Sequence, residues 1–425
     1  MQRKDEGKVE IETYGCSMNK AASEAIAGLL AKKGFSIGPE GDVLVVNTCT
    51  VKTPTERKIV KRLHALEKEG RKVVVVGCLP AAWPEIADEF PDHSFLGTNI
   101  LDIEYAIDAL TDGRRLVKIE NRGGCLTNLP KVRENPYIGI VPISVGCLGD
   151  CAYCIVKNAR GRLVSFPEEK ILEDVKNAVG EGVLEVWLTS QDAGAYGMDA
   201  GKNLPHLLKK VSRIEGDYMI RVGMMNPNHV LMFLDDIIDA YKSERVYKFL
   251  HVPVQSGDDE VLASMNRCYT VDDFRRIVSE FREEMEDITI STDIIAGYPT
   301  EDEAAFQRSL DLVEEIRPDV VNVSRFWPRP HTSAEGLKPL AGRITNDRSR
   351  RLVALFREIS LEKNRSWIGW RGNVYVTEEV RDRCFSARNY AYKPVVIDSE
   401  KDLLGKVLKV KIVNADQYVL KAVIE

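Results

Sequence analysis

Apolar positions along the chain follow three rhythms. Over roughly the first 120 residues, short β-rich or Val-rich runs alternate with helical stretches: Lys8–Tyr14 (KVEIETY), Asp42–Asn47 (DVLVVN) and Lys72–Gly77 (KVVVVG) read as strands. Lys20–Lys33 carries Ile26, Leu29 and Leu30 at helical spacing, and Thr53–Glu69 is a charged amphipathic helix with Pro54 acceptable in its first turn. Nearly continuous apolar strands alternating with helices predict a parallel sheet covered on both faces.

From about residue 136 the same alternation repeats six times. Strand-like runs at Ile138–Val145, Leu184–Ser190, Tyr218–Val222, Tyr247–Val252, Ile288–Ala296 and Val320–Phe326 are separated by helical patterns such as Glu168–Val179 and Val271–Met285. Six β/α units predict a partial barrel whose working residues come from the C-terminal ends of its strands. After residue 366 the period shortens to two: Leu408, Val410 and Ile412 alternate with Lys409 and Lys411. Some 60 residues of this kind predict a small antiparallel β-barrel. The expected organisation is an α/β chain with an N-terminal parallel-sheet domain (1–120), a linker (121–135), a partial (βα)6 barrel (136–365) and a C-terminal β-barrel (366–425).

Composition narrows this little. The chain has 425 residues, 44% hydrophobic and 29% charged, with a formal net charge of −6, so any basic surface must be local. No apolar run approaches the ~20 residues of a membrane span. The opening MQRKDEGKVEIETYG lacks a signal-peptide core. A cytoplasmic protein with no membrane partner is expected. Nine cysteines, an odd number with several beside Gly in loops, point to metal binding rather than disulfides.

Cys147, Cys151 and Cys154 stand in a loop reading G-C-L-G-D-C-A-Y-C. Thiolates are soft ligands suited to zinc or iron–sulfur clusters. A closed structural zinc site wants four ligands, whereas three leave one metal position open for a substrate. Cys16, Cys49 and Cys78 each follow a strand of the first domain. Ligands of open α/β sheets bind beyond the carboxyl ends of the strands, so these three should converge as a second three-thiolate site. Any one of them alone could be a small buried hydrophobe.

At the barrel strand ends stand Gln191-Asp192, Arg221, His251, Gln255, Asp293 and Ser324-Arg325, an expected polar ring around the open site. Taken singly, His251 could be a satisfied semi-buried histidine and Asp258 a helix cap. In the last module one face would carry either Arg388, Tyr390, Tyr392 and Lys393 or the lysines of the fourth strand. Such a mixture suits single-stranded nucleic acid. The lead-in stretch 341–371 has eight Lys/Arg against three acids, which favours RNA contact over a merely solvated helix face.

The C-x₃-C-x₂-C loop with Tyr153 before its last cysteine resembles the signature of radical S-adenosylmethionine (SAM) enzymes. Tyr14-Gly15-Cys16-x-x-Asn19, Asn47-Thr48-Cys49 and Gly77-Cys78 resemble the N-terminal domain of the methylthiotransferases, and the last 60 residues that family's RNA-binding TRAM module. Cys49-Thr50-Val51-Lys52, Ala159-Arg160-Gly161, Trp187-Leu188-Thr189-Ser190 and Arg221-Val222-Gly223-Met224 are similar to the archaeal and eukaryotic branch acting on N6-threonylcarbamoyladenosine at position 37 of tRNA.

The resemblance implies two [4Fe–4S] clusters, one on Cys147, Cys151 and Cys154 with SAM on its open iron, the other on Cys16, Cys49 and Cys78 with sulfur on its open iron. It implies a 5′-deoxyadenosyl radical, methylation of the cluster sulfur by a second SAM, and transfer of the methylthio group to adenine C2. Tyr153, Asp192, Arg221 and Gln255 become candidates for holding SAM. The implied partners are the tRNA anticodon stem-loop and unidentified sulfur and electron donors. Cys125, Cys268 and Cys384 read as non-ligands. Where the family has Arg-Pro-Gly-Thr, this chain has Arg329-Pro330-His331-Thr332; a Gly there would tolerate positive φ. Alternative readings are methylthiolation of isopentenyl-adenosine in tRNA or of a ribosomal-protein aspartate, and, in another class, a non-catalytic RNA-binding protein with two structural metal sites.

Overall fold

The computed structural model describes residues 7–119 and 124–425. Residues 1–6 and 120 of the first domain, and residues 121–123 at the start of the expected linker, lie outside the described residues.

The N-terminal sheet holds β1 (Lys8–Thr13), β2 (Ser36–Ile37), β3 (Val43–Thr48), β4 (Lys72–Gly77), β5 (Ser94–Leu96) and β6 (Val117–Lys118), in the order β2-β1-β3-β4-β5-β6. Every pairing is parallel. All of β3, and all of β4 except Lys72, is buried. The period of two sends Val43, Val45, Val74 and Val76 into one core with Ile26 and Leu30. Leu44, Val46, Val73 and Val75 go into another with Ile59, Leu63 and Leu66. Both faces are therefore covered by helices, which is why these strands read as continuous apolar runs.

The second domain contains six parallel strands: β7 (Ile138–Pro142), β10 (Glu185–Thr189), β11 (Met219–Val222), β12 (Phe249–His251), β13 (Thr289–Ala296) and β14 (Val320–Arg325). They run as β11-β10-β7 and β12-β13-β14, joined by a parallel bridge between Ile220 and Val246. This is the partial (βα)6 barrel expected from the sequence. Val141, Val186, Leu188, Ile220, Val222, Leu250, Ile290 and Ile294 pack toward the helices. Alternation and register place Trp187 beside Arg221, and His251 level with Ser291, on the inward face.

The expected strand Ile138–Val145 divides. Ile143 still donates its N–H to the Thr189 carbonyl of β10; beyond it the chain leaves the sheet, and β8 (Ser144–Val145) pairs antiparallel with β9 (Val164–Ser165). This small stem pinches the base of the cysteine loop.

A 24-residue helix, Gly342–Arg365, leads to the closed C-terminal barrel of β15 (Arg371–Arg381), β16 (Cys384–Arg388), β17 (Pro394–Asp398), β18 (Val407–Ala415) and β19 (Leu420–Ile424). Its ladders are antiparallel except β17 against β19. Val374, Val376, Phe385, Val395, Ile397, Val410, Ile412 and Leu420 fill it.

One sequence expectation is corrected here. Arg388, Tyr390, Tyr392 and Lys393 do not form an RNA-facing strip; they dock this barrel onto the second domain. Tyr392 packs against Tyr247 and Phe249 with ring centroids 4.8 and 4.9 Å apart, and Arg388 lies over Tyr392. Tyr390 donates to Asp287, and Lys393 pairs with Asp319 at 2.7 Å. The cause is Asp319, a buried carboxylate just before β14 that requires counter-charge, which Lys393 and Lys363 supply. The basic excess of the long helix is likewise partly spent inside the protein, since Arg348 pairs with Glu301 and Arg351 with Glu303.

Candidate metal centres

The loop bearing Cys147, Cys151 and Cys154 is held from all sides. Gly146 has φ 79°, and a Cβ there would lie 2.1 Å from the Arg162 carbonyl oxygen, so only glycine fits the pinch above the β8–β9 stem. Its N–H donates to Gln191 Oε1 at 2.8 Å. Cys147 N–H donates to the Gly161 carbonyl, Ala152 N–H to that of Met265, and Ala334 N–H to that of Ala152. Arg267 Nη1 lies 3.0 Å from Cys151 Sγ, while its Nη2 donates to Asn226 and its Nε to the Tyr269 hydroxyl.

Burial pushes the Cys147 thiol up to about 11, with the Asp192 charge adding to it. It pushes the Cys154 thiol up to about 12. Without a positive partner these sulfurs would stay protonated, and metal binding would have to release those protons. Arg267 works in the opposite direction, favouring thiolate.

Cys16 follows β1, Cys49 follows β3 and Cys78 follows β4, as strand order required. Gly15, with φ 114°, lets the backbone pass close by; a Cβ there would stand 2.8 Å from Cys49 Cβ. Asn19, fully buried, staples the loops together: Nδ2 donates to the Tyr14 carbonyl at 2.6 Å and the Thr48 carbonyl at 2.8 Å. Its Oδ1 lies 3.9 Å from Cys78 Sγ. Burial pushes the Cys49 thiol up to about 11.

The two trios meet across one domain interface. The helix Val156–Arg160 starts two residues after Cys154, and Ile155 and Ala159 pack with Cys78, Ala81 and Ala82. Arg160 Nη2 donates to Asn19 Oδ1 at 2.6 Å. Ser17 Oγ lies 2.6 Å from Thr189 Oγ1.

Among the described residues no three His, Cys, Asp or Glu side chains close on one point as ligands of a single ion. A cubane takes each thiolate on a different iron, so its donors spread wider than those of one zinc, which holds sulfur at about 2.3 Å. All-thiolate trios, each beside a buried or half-buried arginine, fit an anionic iron–sulfur cluster.

The candidate SAM residues are placed as follows. Tyr153 is half-buried, its phenol raised well above the usual range by desolvation, and it meets Tyr298 edge-on beside a cluster with Ile295 and Phe326. Asp192 lies beneath the loop with its oxygens engaged by Gly194 N–H, Asn226 N–H and His229 Nδ1. Arg221 is ringed by Trp187, Phe249 and Tyr392 at 5.3–5.5 Å, so it also meets the C-terminal barrel. Gln255 has φ 69° and bridges to Ile294, receiving the Ile295 N–H.

His251 and Asp293, from the expected ring, form a 2.6 Å pair. Arg267 was not singled out by the sequence. It is a single basic residue in a loop, and its partners Cys151 and Asn226 are distant along the chain. Cys268 is exposed, and Cys384 is buried within β16.

Residues 141–313 match the model of the Radical SAM superfamily, and residues 8–97 that of Uncharacterized protein family UPF0004. A protein of Pyrococcus horikoshii described as a probable threonylcarbamoyladenosine tRNA methylthiotransferase is 44% identical, over 98% of this chain and 99% of its own length. The human threonylcarbamoyladenosine tRNA methylthiotransferase is 37% identical, over 97% of this chain and 73% of its own. Among solved structures, the radical S-adenosylmethionine methyltransferase TsrM from Kitasatospora setae, with cobalamin and a [4Fe–4S] cluster bound, superposes with a TM-score of 0.58 at 14% identity, covering 77% of this chain and 76% of that one. That likeness speaks for the fold alone.

Proposed function

The chain belongs to the threonylcarbamoyladenosine tRNA methylthiotransferases, and on that premise we propose that it transfers a methylthio group to C2 of N6-threonylcarbamoyladenosine at position 37 of tRNA, using two [4Fe–4S] clusters and SAM. Support comes chiefly from one observation: two all-cysteine trios, far apart in sequence, share a single interface. When bound, the clusters and SAM would supply one-electron reduction for activating an aromatic C2–H that is neither acidic nor electrophilic, and, separately, a polar methyl transfer to sulfur.

The protein supplies position and environment. Cys147, Cys151 and Cys154 hold one cluster, with Arg267 offsetting its charge. Cys16, Cys49 and Cys78 hold the other. Tyr153, packed on the buried Ile295, Tyr298 and Phe326, would give the SAM side an apolar wall. Asp192 accepts the Asn226 N–H, and Asn226 in turn accepts from Arg267, so this chain of hydrogen bonds would hold the arginine beside Cys151 when the cluster is bound.

The tRNA anticodon stem-loop, whose unpaired bases can be splayed out, is proposed to approach across the C-terminal barrel. Lys406, Lys409 and Lys421 are exposed there. Unidentified donors restore sulfur and electrons. Among the described residues no helix is long and apolar enough to cross a membrane.

Mass spectrometry of tRNA nucleosides from a deletion strain tests the substrate. Loss of 2-methylthio-N6-threonylcarbamoyladenosine is expected, and an unchanged level would exclude it.

A further inference from the structure

We propose that Arg160 is a positioning residue for the Cys16–Cys49–Cys78 site, supplying the positive charge that an anionic sulfur-ligated cluster there requires and fixing that site against the Cys147 loop. The inference rests on the reading that these three cysteines hold a cluster.

Arg160 is only 5% exposed. A buried guanidinium is stable when a negative partner completes it. Here the amide oxygen it reaches, Asn19 Oδ1, lies 3.9 Å from Cys78 Sγ, so the charge stands beside the cysteine trio, and among the described residues no carboxylate pairs with it. Its guanidinium donates to a neutral amide, Asn19 Oδ1, at 2.6 Å. Other buried arginines of this protein have their acids: Arg348 has Glu301 and Arg329 has Glu56. At Arg160 the missing anion is what three thiolates and bound sulfide would bring.

The backbone on either side ties the same short segment to the other site. Gly161, φ 75°, turns the chain out of the helix Val156–Arg160, and its carbonyl accepts the Cys147 N–H at 3.2 Å. Adjacent residues thus reach both sites, Arg160 by its side chain through Asn19, which abuts Cys78, and Gly161 by its backbone to Cys147. This short rigid link keeps the sites in register. It also places one fixed positive charge at the N-terminal site.

Cluster potentials depend on net charge and on hydrogen bonding around the sulfurs. Removing a cation disfavours the more negative, reduced state, so the potential moves down. The test uses full-length protein carrying Cys147→Ala, Cys151→Ala and Cys154→Ala, reconstituted anaerobically with iron and sulfide, so that only the N-terminal site can hold a cluster. Iron, sulfide and the midpoint potential are measured for this background and for added Arg160→Gln, Arg160→Lys and Asn19→Asp. Asn19→Asp gives the arginine a protein counter-charge but loses the Nδ2 hydrogen bonds to the Tyr14 and Thr48 carbonyls, so it is read only where its thermal unfolding matches the parent; Arg160→Met, similar in length and uncharged, is measured beside it as the independent variant should Arg160→Gln not fold.

The expected result is a more negative potential in Arg160→Gln, Arg160→Met and Asn19→Asp, with Arg160→Lys near the parent. Retained iron with an unchanged potential in a folded Arg160→Gln or Arg160→Met would overturn the role of Arg160. Absence of iron and sulfide from the parent background would instead overturn the reading of the three cysteines as a cluster site.

Discussion

The guanidinium of Arg329, on the loop after the last barrel strand, donates to the hydroxyl of Thr50, the residue after Cys49, at 2.7 Å. The same side chain reaches Thr53 at 2.9 Å and pairs with Glu56. With Arg160 and Asn19 it forms a second clamp across the interface that the two trios share. Arg329→Lys keeps the charge but loses the fork that serves three partners at once. The expected outcome is uncoupling: deoxyadenosine formation from SAM persists while methylthiolation falls at least tenfold. Arg329→Ala should also destabilise the protein by about 3 kcal/mol, the lower end for breaking a buried pair because Glu56 remains partly exposed to solvent. Thermal unfolding beside product ratios checks both.

Glu24 makes the first domain sensitive to pH. Burial raises its carboxyl from the ordinary 4.5 to about 7, although Arg133 and Lys131 pull the other way, and Glu24 Oε2 has no hydrogen-bond partner among the described residues. The fold therefore favours the protonated form. Stability from this group is fully present below pH 4.5, falls as pH rises toward 7, and is flat above that. Glu24→Gln should remove the dependence and be the more stable protein at pH 8, by on the order of 3 kcal/mol at most. Denaturant titrations at pH 5 and pH 8 check it; a parallel pH response in both proteins would contradict it.

His331 stands where the family pattern has glycine, and it adopts φ 60°. Its N–H donates to Glu335 and its carbonyl accepts from Asn158, both through backbone atoms that glycine would keep. A left-handed L-residue costs about 1–2 kcal/mol, partly offset by the greater chain entropy of glycine. His331→Gly should leave methylthiolation intact and raise stability by up to about 1 kcal/mol. His331→Val should lower it. Melting temperatures of the two variants give the comparison.

The docked C-terminal barrel changes how RNA binding must be tested. Deleting residues 367–425 would strip Lys393 from Asp319 and uncover Tyr247 and Phe249, so weaker binding would be mixed with damage to the barrel. Lys409 and Lys421 lie on the exposed side. Lys409→Ala and Lys421→Ala should each weaken tRNA binding and flatten its salt dependence, by about 0.7 in slope for every single-strand phosphate no longer neutralised. Tyr392→Leu should disturb thermal stability more than the salt slope. Binding isotherms at several salt concentrations separate the two effects.

Much of this arrangement was legible because it depends on local pattern. Cys16, Cys49 and Cys78 each sit one or a few residues past an apolar run, and the parallel sheet does the rest. The break at Ile143 was not legible, because Ile138–Val145 is apolar almost throughout; only the pairing of Ser144–Val145 with Val164–Ser165 reveals it. The environment of Asp192 is built by Asn226 and His229, more than thirty residues away. Arg388 to Lys393 has the composition of an RNA-binding strip. Its true surroundings are set by Asp319 and Tyr247, which no sequence window contains.

The central claim is that the two trios divide the work. The most direct measurement compares Cys147→Ala and Cys49→Ala in the reconstituted full-length protein with dithionite, SAM and tRNA, quantifying 5′-deoxyadenosine and methylthiolated nucleoside together. Cys147→Ala should abolish both products. Cys49→Ala should still release deoxyadenosine while forming no methylthiolated nucleoside. Loss of deoxyadenosine in a folded Cys49→Ala protein would contradict the division.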